Sequence, residues 1–263
     1  MSHLLSIQGV SRSFASTSGA APTLALQATD MTVAENDFIT ILGPSGCGKS
    51  TLLRIVAGLD QQTSGEVLLE GRRIHGPGAD RGMVFQSYTL FPWLNVRDNV
   101  CFGLNERGMA RKDQWEIAQG FIQKVGLTGF ENHYPKQLSG GMQQRTAIAR
   151  ALANRPRILL MDEPFGALDH QTRESMQELL LGIWEAERKT VLFVTHDIDE
   201  AAFMGSRVVV MSARPGRIKL ERAVPFAHPR SYAIKTTQVF MELKAELTEQ
   251  VRAEVLAAQA ASG

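Results

Sequence analysis

Residues 43–51 of the chain are Gly43, Pro44, Ser45, Gly46, Cys47, Gly48, Lys49, Ser50 and Thr51. They lie between the β-prone run Phe38–Leu42 and the helix-prone run Leu52–Ala57, and they match the phosphate-loop pattern G-x-x-x-x-G-K-[ST]. Glycines let backbone N–H groups point into one concavity, and the start of the following helix also favours anions. Lys49 would reach the β- and γ-phosphates of a nucleotide, and Ser50 would hold Mg²⁺. This stretch therefore predicts a nucleotide site, without saying what the nucleotide is used for.

A second nucleotide signal lies where the apolar run Ile158–Met161 ends in Asp162 and Glu163. Ligands of α/β sheets bind at the carboxyl ends of the strands. Asp162 could hold Mg²⁺ directly or through water, and Glu163 could act as general base on a water in line with the γ-phosphate. The alternative is a charged strand end that only caps a turn, and the upstream phosphate loop argues against it.

A third signal is Ser139-Gly140-Gly141, which precedes the predicted helix Met142–Asn154. Serine is a good N-cap, and the two glycines leave the helix start bare. Bare N–H groups and the helix dipole together favour a second phosphate site. An ordinary capped helix remains open on this evidence, because one phosphate loop already serves one nucleotide.

Composition narrows the class of protein. The 263 residues include 28 basic and 27 acidic side chains, and the absence of a long basic block argues against nucleic-acid binding. The two cysteines, Cys47 and Cys101, do not suggest a disulfide framework, which favours a reducing compartment. Met1–Val10 lacks the pattern of a signal peptide, and no apolar run approaches the length of a membrane span.

The order of the predicted elements indicates an α/β core interrupted by a helical insertion. Strands are predicted at 158–162, 190–195 and 207–211, with helices at 171–186 and 198–204 between them. We expect about residues 1–87 and 156–220 to form the nucleotide-binding core and a β subdomain, about 88–155 a helical subdomain, and about 221–263 a helical tail. In that tail Leu243, Leu247, Val251 and Val255 form one apolar stripe, expected to pack against protein.

The run LSGGMQQR at 138–145, together with the phosphate loop and the Asp162-Glu163 pair, resembles the ATPase subunit of ATP-binding cassette (ABC) transporters. The likeness extends from about residue 4 to 215, and Met142 replaces the usual glutamine, a common variant. The resemblance implies one ABC ATPase domain over 1–263. Its fold would be α/β, with a P-loop NTPase core with a mixed sheet, an antiparallel β subdomain and the inserted helical subdomain.

The resemblance also implies residue roles. Catalysis would involve Glu163, His196, Gln86 and Lys49. Mg²⁺ would be held by Ser50, Gln86 and Asp162. ATP would contact Phe14 through its adenine, all of residues 43–51, and Ser139, Gly140, Gly141, Gln143 and Asp169. Asp169 belongs to Gly166–Asp169, which matches the loop that crosses the dimer interface. One departure from the importer pattern is Asn36-Asp37 in place of Gly-Glu, and asparagine tolerates the left-handed turn expected there.

Partners follow from the same resemblance. Two copies would pair head to tail, so that the phosphate loop of one and Ser139–Gly141 of the other enclose each ATP. Phe91, Trp93 and Leu94 would form a groove for a short helix of a membrane permease, although helical-core packing is the alternative for some of them. A solute-binding protein would take part indirectly. The chain would then lie peripherally on the cytoplasmic face of the inner membrane.

The segments Phe91–Val100 and Ser212–Ile218 resemble those of nitrate, sulfonate and taurine importer ATPases. This predicts an ATP-hydrolysing importer subunit for a small solute of that kind. The alternatives are the ATPase of an exporter, a cassette ATPase with a non-transport role, and a soluble P-loop kinase. The kinase has no use for the 138–145 element, and the solute itself cannot be identified from this chain.

Overall fold

The computed structural model describes residues 3–15 and 21–260. In chain order its strands and helices are β1 (Leu5–Phe14), β2 (Thr23–Val33), β3 (Phe38–Leu42), α1 (Lys49–Ala57), β4 (Ser64–Leu69), β5 (Arg72–Arg73), β6 (Arg81–Val84), α2 (Val96–Glu106), α3 (Arg111–Lys124), α4 (Gly140–Ala153), β7 (Ile158–Asp162), α5 (His170–Glu187), β8 (Thr190–Thr195), α6 (Ile198–Met204), β9 (Arg207–Met211), β10 (Ile218–Ala223) and α7 (Gln238–Ala260). Short 3₁₀ turns lie at Pro135–Gln137 and Tyr232–Thr236.

The chain divides into two compact units. The first comprises residues 1–78 and 189–263, and the second comprises residues 79–188. The second unit is wider than the predicted insertion at 88–155, since it also contains β6, β7 and α5. β6 and β7 pair in parallel, with Val84 opposite Met161, and this pairing ties the two ends of the helical segment to each other.

The first unit contains a mixed sheet and an antiparallel sheet. β3 pairs in parallel with both β8 and β9, and β10 pairs antiparallel with β9. Every residue of β3 and of β8 is buried, which explains why these strands read as continuous apolar runs. The antiparallel sheet has the order β2-β1-β4-β5.

Two turns of the first unit contain residues in the left-handed conformation, and the second of them, at Asn36, is the one predicted from the sequence. β4 and β5 form a tight hairpin whose turn residues Glu70 and Gly71 have φ angles of 51° and 75°. Asn36 has a φ of 67°, the left-handed conformation that asparagine tolerates better than most residues. The replacement of glycine by Asn36 is therefore compatible with the turn before β3.

The C-terminal segment becomes helical later than the predicted start of the tail at about residue 221. Residues 221–223 instead complete β10, because they pair with β9. On α7, Leu243 and Leu247 are buried with Phe240, whereas Val255 is 37% exposed. The predicted apolar stripe thus packs along the first half of the helix only. In the described part of the chain, no helix has the length and apolar character needed to cross a bilayer.

Candidate functional site

The phosphate loop connects the carboxyl end of β3 to α1. Gly46 and Gly48 have φ angles of 75° and 100°, a region that side chains with a Cβ rarely adopt. A Cβ at Gly48 would also stand 3.0 Å from the carbonyl oxygen of Ala25 in β2. These glycines are therefore required by the backbone path, as the pattern predicts.

Lys49 is the first residue of α1 and is only 4% exposed. Its Nζ donates to the carbonyl oxygens of Gly43 (2.8 Å) and Pro44 (2.9 Å), so the loop curls around the ammonium group. A buried charge needs such partners, because an unpaired one is costly. The ammonium is thus held beside the helix start, where it can neutralise a bound phosphate. Ser50, which follows it, is exposed.

The turn after β9 supports the phosphate loop from one side. A Cβ added to Gly216 would overlap the carbonyl oxygen of Cys47, so the two backbones are in contact. Gly216 is itself fixed by β2, because its N–H donates to Ala25 O (3.0 Å) and its carbonyl accepts from Gln27 N–H (2.8 Å). The phosphate-loop pattern by itself does not indicate this role of Gly216. The Pro215-Gly216 turn directly after a strand of the nucleotide-binding sheet is the signal that could have found it.

His196 follows β8 at the same edge of the sheet from which the phosphate loop leaves β3. Thr195 is opposite Leu42 in the parallel register, and the next residue of each strand begins the respective loop. The histidine is exposed, and its neighbours fix its backbone. Asp197 N–H donates to Thr195 Oγ1 (3.0 Å), and the Asp197 carboxylate accepts from Glu200 N–H (3.0 Å) as the N-cap of α6.

In the second unit, Gln86, Asp162 and Glu163 gather at the carboxyl ends of β6 and β7. Gln86 Nε2 donates to Glu163 Oε2 at 3.4 Å, which leaves the amide oxygen of Gln86 available as a metal ligand. Glu163 has a φ of 42°. Such a conformation costs about 1–3 kcal/mol in a residue with a side chain and is commonest at functional sites. The strain is consistent with the predicted catalytic role of Glu163.

Ser139 caps α4, as predicted, by accepting a hydrogen bond from Met142 N–H at 3.3 Å. The helix begins at Gly140, two residues before the predicted start. A Cβ at Gly140 would stand 2.8 Å from the Tyr88 hydroxyl, and one at Gly141 would stand 2.8 Å from Thr172 Cγ2. The glycines therefore allow close packing around the first turn of α4, whose N–H groups point out of the helix start.

Two further predicted site residues have structural duties. Gln143 Nε2 donates to the carbonyl oxygens of Pro135 (3.1 Å) and Leu138 (3.2 Å), which fixes the turn before α4. Asp169 is exposed and caps α5 by accepting from Thr172 N–H at 3.0 Å. Hydrogen bonds from the Thr172 amide and hydroxyl hold the pKa of Asp169 below its ordinary value. The nucleotide contacts of both residues remain predictions.

Two residues outside the predicted set hold the segment that follows Gln86. Arg150 of α4 donates to Thr89 O (2.8 Å) and lies over the Phe91 ring at 5.4 Å, and burial lowers the pKa of its guanidinium. Asn99 of α2 is fully buried, accepts from Phe91 N–H (2.9 Å) and donates to Leu94 O (2.9 Å). Local sequence gave no signal for these contacts, because Arg150 is 61 residues from Thr89.

A cleft of about 560 Å³ opens beside this segment. Its walls include Trp93, Leu94, Phe102 and Trp115, with Arg97 among the polar side chains. Trp93 is 70% exposed. Phe91, which was predicted to line a groove here, packs against Phe102 with 4.2 Å between ring centroids. Trp93 and Leu94 therefore face the cleft, and Phe91 lies against the Phe102 ring.

The donor atoms present suit Mg²⁺. Within 3–15 and 21–260, no group of three or more His, Cys, Asp or Glu side chains could hold a metal ion by itself. A magnesium ion that accompanies a nucleotide needs only one or two carboxylates, because phosphate oxygens and water complete its shell. The Ser50 hydroxyl, the Asp162 carboxylate and the Gln86 amide oxygen are hard oxygen ligands of that kind.

Comparison with known proteins identifies the family. Residues 26–166 match the family described as ABC transporter. An uncharacterized ABC transporter ATP-binding protein of Methanocaldococcus jannaschii is 56% identical over 232 residues, which cover 88% of this chain and 86% of that protein. The nitrate import ATP-binding protein NrtD of Synechocystis is 47% identical, over 87% of this chain and 88% of its own length.

Two further similarities extend the comparison. The aliphatic sulfonates import ATP-binding protein SsuB of Bacillus cereus is 46% identical, over 94% of this chain and 95% of its own length. The solved structure of a dimeric, post-hydrolysis ATP-binding cassette bound to ADP and Pi superposes with a TM-score of 0.74 and 35% identity. That match covers 85% of this chain and 100% of the cassette. The chain belongs to the ABC transporter family and is one of its ATPases.

Proposed function

We propose that this chain is the ATP-hydrolysing subunit of an ABC importer that takes up a small anionic or zwitterionic solute through a separate membrane permease. One observation carries the ATPase part of the proposal: the residues that the structure describes include two helix starts suited to phosphate, one with a buried lysine at α1 and one with a serine cap and two glycines at α4. A single nucleotide fills the first. The second then serves a nucleotide held by another copy.

The proposed chemistry assigns one task to each residue. Lys49 exchanges its two loop carbonyls for the β- and γ-phosphates of ATP. Glu163 takes a proton from the attacking water, and Gln86 orients that water while its amide holds the Glu163 carboxylate. His196 donates a hydrogen bond to the γ-phosphate. Ser50, Asp162 and Gln86 would hold Mg²⁺, which would neutralise the negative charge that develops on the phosphate oxygens.

The proposed active form is a head-to-tail homodimer. The α4 start of one copy would donate N–H groups to the γ-phosphate of the ATP held on the phosphate loop of the other. The related cassette bound to ADP and Pi is dimeric, which supports this arrangement. ATP then favours the dimer because it binds both copies, and hydrolysis removes that advantage.

The proposed permease contact is the cleft lined by Trp93, Leu94 and Phe102. Exposed aromatic side chains around a concave surface suit a short amphipathic helix. Arg150 and Asn99 fix the segment that carries Trp93 to α4 and α2. Because Gln86 lies a few residues earlier in the same segment, a helix seated in the cleft could shift the position of Gln86.

Import, and the class of solute, rest on the relatives. Those at 46–47% identity over most of the chain carry names for nitrate import and aliphatic sulfonate import. The solute would be bound by the permease and, indirectly, by a solute-binding protein. The ATPase would work at the cytoplasmic face of the cell membrane.

The test is to reconstitute the chain with its co-purifying permease in liposomes. We expect uptake of labelled nitrate, taurine or an alkanesulfonate that depends on ATP on the side of this chain and is lost with Glu163→Gln. Solute efflux in that geometry would identify an exporter. Co-purification with a soluble partner in place of a permease would contradict a transport role. Trp93→Glu should abolish permease capture, and unchanged capture would exclude the cleft as the docking site.

A further inference from the structure

An arginine covers one face of the Phe14 ring at the end of β1. The Cζ atom of Arg12 lies 4.5 Å from the ring centroid. Residues two apart in a strand project from the same side, and a guanidinium over an aromatic face is attracted by the ring quadrupole. The ring is nevertheless 38% exposed. A flat ring is thus backed by protein on one side and accessible to solvent elsewhere.

A carboxylate fixes the arginine in place. Arg12 Nη2 is 2.7 Å from Asp60 Oδ1, and both side chains are 23% exposed. The same oxygen of Asp60 accepts from Gln61 N–H at 2.8 Å, so the carboxylate is itself anchored to the backbone. Because the pair carries no net charge, it adds little long-range attraction for a nucleotide. Its effect is on the position of the ring.

The backbone around Phe14 is tied to the same segment. Ser13 N–H donates to Thr63 Oγ1 at 3.0 Å, and Thr63 N–H donates to Ser11 O at 2.8 Å. Residues 60–63 therefore hold the last residues of β1 by main-chain and side-chain hydrogen bonds. A strand end would otherwise fray, and a ring on a frayed end would sample several rotamers.

We propose that Arg12 and Asp60 preset the Phe14 ring as the platform on which the nucleotide base stacks. The inference rests on the proposed function, in which Phe14 contacts adenine. Binding that must first order a side chain loses affinity, and a ring already held by a guanidinium avoids that loss. Arg12 touches the ring and not the base, so it is a positioning residue. The alternative is a purely structural role, in which Arg12 and Asp60 form an ion pair that stabilises the sheet.

The test is a double-mutant cycle on the full chain, read as KM and kcat for ATP hydrolysis. Phe14→Leu removes a base-stacking ring and should raise KM about tenfold. Arg12→Gln should raise KM about threefold with little change in kcat, and Asp60→Asn should act similarly. In the Phe14→Leu background, Arg12→Gln should cause no further rise in KM. Arg12→Lys, which keeps the cation, should recover part of the loss.

Inorganic tripolyphosphate has no base, so its binding reports on the phosphate loop alone and not on stacking against Phe14. Its inhibition constant against ATP hydrolysis should be the same in wild type, Arg12→Gln and Phe14→Leu. Arg222→Gln is the matched control, since Arg222 also pairs with a carboxylate, Glu246, at 3.2 Å. It should leave the KM for ATP unchanged.

Three results would overturn the inference: an unchanged KM in Arg12→Gln, an equal rise in the Phe14→Leu background, or weaker tripolyphosphate inhibition. Equilibrium binding of ATP and of tripolyphosphate to the Lys49→Ala variant distinguishes a failure of this inference from a failure of the proposed function. If Lys49→Ala binds neither ATP nor tripolyphosphate while Phe14→Leu has the KM of wild type for ATP, the stacking platform is excluded. The proposal that the chain is an ATPase is then unaffected. Wild-type binding of both ligands by Lys49→Ala would overturn the proposed function itself.

Discussion

The starts of α1 and α4 are both helix N-termini with glycine at or next to the first turn. α1 follows a loop with two left-handed glycines, and its first residue, Lys49, is a buried cation bonded to loop carbonyls. α4 follows a serine cap and has Gly140 and Gly141 in its first turn. The α1 site contains a cation, Lys49, and is enclosed by the phosphate loop. The α4 site offers only backbone N–H groups.

The difference indicates that the two sites have different partners. A loop with a buried lysine can bind a triphosphate by itself, because cation, backbone and helix dipole act together. A helix start without a cation beside it adds only a modest attraction for an anion. It becomes useful when another molecule presents the phosphate already bound. We therefore expect changes at α1 to abolish ATP binding, and changes at α4 to spare binding but block pairing of two copies.

The largest effect is expected for Lys49→Ala. Loss of the cation that pairs with the β- and γ-phosphates should weaken ATP binding by about 100-fold or more, since charge-assisted hydrogen bonds to buried phosphate are the strongest contacts there. Isothermal titration with Mg-ATP measures this. Affinity within a factor of two of wild type would show that α1 is not the primary phosphate site.

The next effect is expected for Ser139→Asp, with Ser139→Asn as its isosteric control. Both residues are good N-caps, so the folded helix should keep its stability in each. Only aspartate places a negative charge where a γ-phosphate from another copy would lie. Ser139→Asp should retain ATP affinity but lose ATP hydrolysis by about 10- to 100-fold, and Ser139→Asn should remain close to wild type. Equal activity of the two variants would remove α4 from the phosphate contact.

A smaller effect is expected where the α1 loop rests on the turn after β9. Gly216→Ala would force a methyl group against the Cys47 carbonyl. Overpacking of this kind costs about 1–3 kcal/mol, and the displaced phosphate loop should raise the KM for ATP. Gly76→Ala, where an added Cβ meets no atom within 4 Å, is the control and should leave KM unchanged. An unaltered KM in Gly216→Ala would show that the loop tolerates movement of its support.

The smallest effect is expected at Glu254 of α7, which ties the same turn to the C-terminal helix. Its carboxylate accepts from Ala213 N–H at 3.0 Å and pairs with Lys219 at 2.9 Å. The hydrogen bond from Lys219 is the main reason that the pKa of Glu254 lies below its ordinary value. A carboxyl pKa that is lower in the folded state stabilises the protein above the unfolded-state pKa, and this contribution disappears as pH falls through the folded-state value.

Glu254→Gln should therefore lower the free energy of unfolding at pH 7 by at most about 1 kcal/mol, because the pair is partly exposed. The difference in the free energy of unfolding between the variant and wild type should become smaller below about pH 4.5. Urea unfolding at pH 7, 5 and 4 measures this difference. A gap that stays constant across this range would mean that packing, and not the ionised carboxylate, anchors α7.

The sequence predicted the elements that carry both helix starts because their signals are local. Buried parallel strands such as β7 and β8 have the predicted limits, since every residue from Thr190 to Thr195 is buried and the run is apolar between its two terminal threonines. Local signals fail for contacts between distant segments. Gly216 lies 169 positions from Cys47, and Arg12 lies 48 positions from Asp60, as the numbering shows. Only the folded chain brings these supports to the phosphate loop and to Phe14.

The most direct test of the central claim is the mass of the Glu163→Gln variant in solution with and without ATP. If α4 of one copy completes the phosphate site of another, removal of the proposed base should let ATP accumulate unhydrolysed and hold two copies together. Sedimentation velocity with Mg-ATP should give a dimer, and Glu163→Gln combined with Ser139→Asp should remain a monomer under the same conditions. A monomeric Glu163→Gln variant with saturating bound ATP would contradict the account.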